Sequence, residues 1–302
     1  MRARAPGKIV ISGAYAVLEG APAIVSAVDR FVLADAARPA AFVTPEVRAA
    51  LGEAAAPWFD ASALREGDRK LGLGSSAAIL VASLAARIVA ERGAVSDREL
   101  CEAVAATAFR AHAVAQHGGS GVDVAAASYG GTFVFRRAAP EAAEAHALPG
   151  GLHVEIWWSG AEASTRELVA RVFALREHDA AAFARLLGAQ AEAAEAAERA
   201  LRSADARALV AALAAQRRVL DALGKAAGAP IVTDSARELA ELAERDGSAA
   251  LPAGAGGGDV VIFAGCAPAA AAFRELAALR GYRHIALALG ARGVHAVSEG
   301  AS

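Results

Sequence analysis

Lys70-Leu71-Gly72-Leu73-Gly74-Ser75-Ser76-Ala77-Ala78 runs straight into an apolar, alanine-rich segment at 79–88. Glycines let a backbone approach a ligand closely, and the first turn of the helix that follows carries N–H groups with no partner inside the helix. Together they form a seat for a phosphate. Ser75 and Ser76 add hydroxyls that can bond phosphate oxygens or a magnesium ion, and Lys70 brings positive charge to the mouth of the loop. The spacing is neither GxxxxGK[ST] nor GxGxxG. Taken alone, the stretch reads equally well as a glycine-rich turn whose serines cap a buried helix, so the rest of the chain has to decide.

The 302 residues suffice for one large or two moderate domains. Alanine inflates the 56% hydrophobic content, and no uninterrupted apolar run approaches the roughly 20 residues that cross a bilayer. The start of the chain lacks the apolar region and small-residue cleavage site of a secretory signal. The two cysteines, Cys101 and Cys266, have no metal-ligand spacing, which fits a cytoplasmic protein with two buried free thiols. A net charge of −2 argues against nucleic acid as the main partner.

Pro6-Gly7-Lys8 leads into a β-branched strand and turn at 9–13, and a second strand is expected at 30–34. Lys8 is open to two readings: a solvated strand end, or a cation aimed across a cleft at a substrate or an acid. Residues 35–69 read as irregular, with Trp58-Phe59-Asp60 as an apolar anchor. Ser96-Asp97-Arg98-Glu99 is a capping box, followed by apolar residues at helical spacing up to Gln116. A second glycine cluster, His117-Gly118-Gly119-Ser120-Gly121-Val122-Asp123, opens a small-residue segment ending at Tyr129-Gly130-Gly131. There Asp123 is either a helix N-terminal acid or a chemical group. A strand at 132–136 and an acidic, alanine-rich linker after Pro140 close this half.

The second half begins with a strand at 152–158 and a helix capped by Ser164 or Thr165 that runs to Arg176. Two long amphipathic helices follow at about 180–200 and 205–224, with alanine where a coiled coil needs leucine or isoleucine. Gly228 and Pro230 break the pattern and Thr233 caps another helix. The third glycine cluster, Gly254-Ala255-Gly256-Gly257-Gly258-Asp259, enters a strand at 260–264, which linkers do not usually do, so a tight backbone approach to a ligand is expected there. A helix at 267–280 and a strand at 285–289 complete the reading.

Ala5-Pro6-Gly7-Lys8 with the segment from Gly13 to Glu19, then Gly72-Leu73-Gly74-Ser75-Ser76-Ala77, then the third cluster, stand in an order and spacing that resemble the GHMP kinase superfamily of galactokinases and homoserine, mevalonate and phosphomevalonate kinases. The resemblance spans nearly the whole chain. Ser12-Gly13-Ala14-Tyr15-Ala16-Val17-Leu18 and Ser120-Gly121-Val122-Asp123 favour the mevalonate branch of isoprenoid biosynthesis. The form GAGGGD, Lys70 and Ala115-Gln116 look more like the phosphomevalonate kinases.

What the resemblance implies is an α/β (α+β) two-domain fold. A ribosomal S5 domain 2-like domain would occupy 1–150 and a ferredoxin-like domain 151–302, with the active site between them. ATP and magnesium are the expected cofactors and a small phosphorylated molecule the acceptor, with neither nucleic acid nor membrane as partner, in a monomer or homodimer. By this likeness Lys70, Gly72, Leu73, Gly74, Ser75, Ser76 and Ala77 hold the ATP phosphates, Ser76 also meeting the metal. Lys8 and Asp123 are the catalytic pair. Lys8, Ser120, Gly121, Asp123, Ala255, Gly256 and Gly257 face the acceptor.

Chemistry then separates the acceptors. The mevalonate alcohol needs Asp123 as a base, whereas the phosphate of phosphomevalonate, with a second pKa of about 6, is already largely ionised and needs charge neutralised by Lys8. Related mevalonate kinases place a glutamate for magnesium where this chain has His112, a poor ligand for a hard cation. Ala14 stands where many relatives carry glutamate, so no role follows for it. Bringing two phosphates together demands extra cations, and Lys70, Arg110, His112, Arg136 and Arg137 flank the motifs; each alone reads as a surface charge, with one or two of them expected in the site. Phosphomevalonate kinase is the favoured reading. The alternatives are a mevalonate kinase, a diphosphomevalonate decarboxylase, which no feature favours, and a catalytically silent ligand-binding member of the same fold.

Overall fold

The computed structural model describes residues 1–116, 118–141 and 143–297; His117, which opens the second glycine cluster, lies outside the described residues. The elements in chain order are β1 (Arg2–Ser12), β2 (Ala23–Pro39), α1 (Pro45–Leu51), β3 (Pro57–Asp60), β4 (Arg65–Glu66), β5 (Arg69–Lys70), α2 (Ser75–Arg92), α3 (Asp97–Ala115), α4 (Val122–Tyr129), β6 (Thr132–Phe135) and β7 (Glu144–Ala145). They continue as β8 (His153–Trp158), α5 (Thr165–His178), α6 (Ala180–Arg202), α7 (Ala206–Ala226), α8 (Asp234–Arg245), β9 (Ala249–Pro252), β10 (Val260–Gly265), α9 (Ala271–Leu279), β11 (Arg283–Ile285) and β12 (His295–Val297). By packing, the chain divides into two units that exchange segments. One holds Met1–Ile9, Val25–Ala145 and the chain from Leu287 onward; the other holds Val10–Ile24 and His146–Ala286.

The first unit is built on a sheet of order β12-β1-β2-β6-β7, with β3 also paired to β2. Its β1 extends further toward the N-terminus than the apolar run predicts, because Arg2, Ala3 and Arg4 pair antiparallel with Val297, Ala296 and His295. The region 35–69, expected to be irregular, holds the end of β2 and then α1, β3, a 3-10 turn at Ser62–Leu64, β4 and the start of β5. Thr44 caps α1 through the amide of Val47 with Pro45 at the first helical position, and β3 aligns Phe59 opposite Ala34. The capping box at Ser96 is formed as read. Helix α2 is apolar on nearly every face and is correspondingly buried, from Ala77 through Ala86.

The second unit packs α5–α9 with an antiparallel sheet of order β11-β8-β10-β9. Trp157, Leu168, Val172, Leu220, Leu223, Leu239, Phe263 and Phe273 share its core. Burying each such side chain stabilises the fold by about 1.5–3 kcal/mol. The last predicted helix starts later than its sequence suggests, since the Ala269 amide is bonded to Glu155 Oε1 at 2.9 Å and holds that turn out of the helix. The last predicted strand ends early for a different reason. After Ile285 the chain leaves β8 and enters the first unit, where Ala288 N donates to Asp29 Oδ1 at 2.8 Å and Leu289 bridges Val28. Cys266 lies exposed beyond the end of β10, contrary to the expectation of a buried thiol; Cys101 is partly buried, and burial, with Glu102 beside it, pushes its thiol up to about 11.

Candidate active site

In the first unit the phosphate loop, Lys8 and Asp123 meet. Gly72 and Gly74 both have positive φ, 74° and 77°, while Leu73 between them is buried and accepts the Lys8 backbone N–H at 2.9 Å. That bond ties β1 to the loop. Gly74 is the N-cap of α2 and offers no side-chain cap, and the first intrahelical bond is Ala78 N to Gly74 O at 3.2 Å. The N–H groups of Ser75, Ser76 and Ala77 therefore have no acceptor within the helix and sit at its positive end. A bare N-terminus flanked by two hydroxyls is chemically suited to phosphate oxygens.

Lys8 crosses directly over Gly74. A Cβ added there would stand 3.1 Å from both Cγ and Cε of Lys8 and 3.5 Å from Asp123 Oδ2, so a side chain at 74 would press on the lysine's path, and the positive φ itself favours glycine. Lys8 Nζ lies 3.3 Å from Asp123 Oδ1, with the side chains 13% and 29% exposed, which keeps the pair partly reachable from solvent. Asp123 occupies the first turn of α4 behind Gly121, whose left-handed φ of 85° makes the N-cap. Ser120 accepts the Val122 N–H at 3.4 Å. Asp123 is thus a helix N-terminal acid, its charge favoured by the macrodipole, and is at the same time paired with Lys8.

The flanking cations are distributed differently. Lys70 is exposed on β5 opposite Arg65; Arg110 is exposed and bonded to Thr107; Arg137 donates to Gly118 O at 3.2 Å, and Arg136 is exposed beside it. His112 is buried, 8% exposed, and packs toward Gly119.

The third cluster belongs to the second unit. Its glycines serve a close approach to the chain's own backbone. A Cβ on Gly256 would stand 2.1 Å from Ile231 O and one on Gly257 2.7 Å from Leu168 Cδ1, and Gly257 N donates to Ile231 O at 2.9 Å. Asp259, at φ 50°, closes the turn by accepting the Ala163 N–H at 3.3 Å. Ala255 O accepts the phenol of Tyr15 at 2.6 Å.

Two residues near the 12–15 turn escaped the sequence reading. Gln216 on α7 accepts the Gly13 N–H at 2.9 Å and donates to Ser12 Oγ at 2.8 Å, while Gln190 on α6 donates to Ala14 O at 3.3 Å. Both amides are almost fully buried. Their signal lies in the helix pattern, Phe183, Leu187, Gln190, Ala194 on α6 and Leu209, Leu213, Gln216, Leu220 on α7. Each glutamine occupies a core position of a heptad, where a buried polar group requires a partner.

Comparison with known proteins adds the following. No family model matches the chain. It is 29% identical, across 84% of its length and 87% of the relative's, to the phosphomevalonate kinase of Streptomyces sp. (strain CL190). Among solved structures, the Lin0012 protein from Listeria innocua superposes with a TM-score of 0.81 at 23% identity, covering 97% of this chain and 99% of that one. Streptococcus pneumoniae phosphomevalonate kinase, solved with phosphomevalonate and AMPPNP, superposes at 0.73 with 19% identity, covering 96% and 99%. The chain has the fold of the GHMP kinases. Sequence likeness and fold likeness both run to kinases of this superfamily, a phosphomevalonate kinase in each comparison. Among the described residues, no helix is long and apolar enough to cross a membrane.

Proposed function

We propose that this GHMP-family kinase transfers the γ-phosphoryl group of ATP to the phosphate of 5-phosphomevalonate, giving 5-diphosphomevalonate and ADP in isoprenoid biosynthesis. The observation that carries the reading is the Lys8 ammonium, 3.3 Å from Asp123 and laid across Gly74 at the uncapped start of α2. A phosphate oxygen of the acceptor forms the new bond to the γ-phosphorus as the bond to the β-phosphate oxygen breaks. Lys8 neutralises the two groups as they approach, which is the principal demand of phosphoryl transfer. Asp123 orients Lys8 and serves only secondarily as a base. Residues 72–77 hold the ATP phosphates through backbone N–H groups and the two serine hydroxyls.

Magnesium, when bound, offsets phosphate charge. Among the described residues no group of three His, Cys, Asp or Glu side chains is placed to hold a metal, and of the two hard hydroxyl oxygens in the loop we assign that of Ser76 to the metal. The ligand set we propose is therefore Ser76, the nucleotide phosphates and water. On the acceptor side we assign Ser120, Gly121, Ala255, Gly256 and Gly257. The sequence likeness to one phosphomevalonate kinase, and the superposition on another that binds phosphomevalonate, support this acceptor over the mevalonate alcohol. Coupled ADP release with ATP and magnesium, with mevalonate, 5-phosphomevalonate and 5-diphosphomevalonate offered in parallel, tests it. Turnover confined to 5-phosphomevalonate is expected. Turnover with mevalonate instead would make Asp123 the base and overturn the assignment.

A further inference from the structure

The backbone of Tyr15 is an outlier. A bulky residue at φ 62°, ψ −51° forms the centre of a γ-turn, closed by Ala16 N donating to Ala14 O at 2.8 Å, a conformation that is rare and strained. Its persistence requires surroundings that over-determine it. Gln190 adds a second bond to the same Ala14 carbonyl, Gln216 fixes Gly13 and Ser12 immediately before the turn, and the Tyr15 phenol is anchored on Ala255 O at 2.6 Å. Gly13, at φ 88°, cannot be replaced, since a Cβ would meet Pro22 O at 2.2 Å. Tyr15 itself is buried, and burial raises its phenol above the ordinary range, so it remains a donor at physiological pH.

These bonds connect two stretches of particular interest. On one side is the end of β1, four residues beyond Lys8; on the other is Ala255 in the third glycine cluster. Two glutamines in heptad core positions would be poor choices for stability alone, because apolar side chains there would need no partners.

We infer that Tyr15, Gln190 and Gln216 are positioning residues that hold the Ser12–Ala16 turn and Ala255 in the geometry that receives the acceptor. The inference rests on the phosphomevalonate reading above and extends it to residues that need not touch the reacting atoms. All their hydrogen bonds lie within the second unit, whereas the ATP-phosphate loop belongs to the first. Loosening them should therefore weaken acceptor use and spare the nucleotide.

The test compares Tyr15→Phe, Gln216→Leu and Gln216→Glu with the unaltered protein by steady-state kinetics in both substrates and by thermal melting. Gln216→Glu keeps the acceptor for the Gly13 N–H but loses the amide that donates to Ser12 Oγ at 2.8 Å and to Ala193 O at 3.3 Å, so it tests the donor half of the amide. Losing one net hydrogen bond corresponds to about a tenfold change. The expected result is an acceptor KM raised about tenfold or more in all three variants with an ATP KM within about twofold. Equal rises in both KM values, or a lower melting temperature with unchanged kinetics, would overturn the inference while leaving the proposed function in place. An unaltered protein that turns over no acceptor would overturn both.

Discussion

Lys8 and Gly74 constrain each other: the lysine reaches Asp123 only along a path that any Cβ at position 74 would narrow. If the acceptor is already ionised, the charge on Lys8 matters more than the basicity of Asp123. Lys8→Ala is then expected to lower kcat about 10²- to 10³-fold, the loss typical of removing one preorganised electrostatic donor. Asp123→Asn keeps the size of the side chain and should cost less, about tenfold, by loosening Lys8. Kinetics of the two variants decide the matter: a greater loss in Asp123→Asn would mark base catalysis on an alcohol. The proximity of these two residues was legible only through motif resemblance, because neither periodicity nor composition brings the middle of β1 to the start of α4. Gln190 and Gln216 were missed because composition near them is dominated by alanine, which hides the heptad that makes a buried amide conspicuous.

Among the elements, long helices were read well and short pieces poorly. Helices α6 and α7 end within a few residues of their predicted bounds because their amphipathic patterns are long enough to be periodic, and Ser96 announced α3 through its capping box. The segments α1 and β3 to β5 are each a few residues long and draw their stability from pairing and packing that no local pattern reports. Between α7 and α8 the ties are ionic. Asp221 accepts from Arg237 at 2.8 and 3.0 Å and from Lys225 at 2.8 Å. Burial alone would raise its pKa, but the bonds from Arg237 and Lys225 outweigh it and hold the carboxyl below its usual value. A depressed carboxylate contributes stability in full above the unfolded-state value of about 4 and loses it as pH falls through the lowered one. Asp221→Asn is thus expected to destabilise the second unit by about 2 kcal/mol at neutral pH. In denaturant titrations across a pH series, the gap from the unaltered protein should close under acid conditions. A gap independent of pH would show that the charge contributes nothing.

At the scale of the whole molecule, the two units do not follow the chain in simple succession. The resemblance implied domains at 1–150 and 151–302, and composition a linker after Pro140; by packing, Val10–Ile24 groups with the second unit and the described residues from Leu287 group with the first. Such exchange is invisible to pattern reading, since a strand that begins in one unit and ends in the other has the same alternation throughout. It has a direct consequence for folding. A fragment covering residues 146–286 contains every helix and strand of the second sheet yet lacks Ser12, Gly13, Ala14 and Tyr15, which bond Gln216 and the Gln190 Nε2 and give Ala255 O its phenol donor. Each buried polar group left without a partner costs about 1–3 kcal/mol, and the apolar contacts of Ala14 and Tyr15 with the core are lost as well. Those losses together approach the roughly 5–15 kcal/mol by which a whole domain is stable. The fragment is therefore expected to retain helical far-ultraviolet circular dichroism but to lack a cooperative melt and a defined near-ultraviolet spectrum from Trp157 and Trp158. A sharp transition at the midpoint of the full chain would show instead that residues 10–24 only rest upon a unit that folds without them.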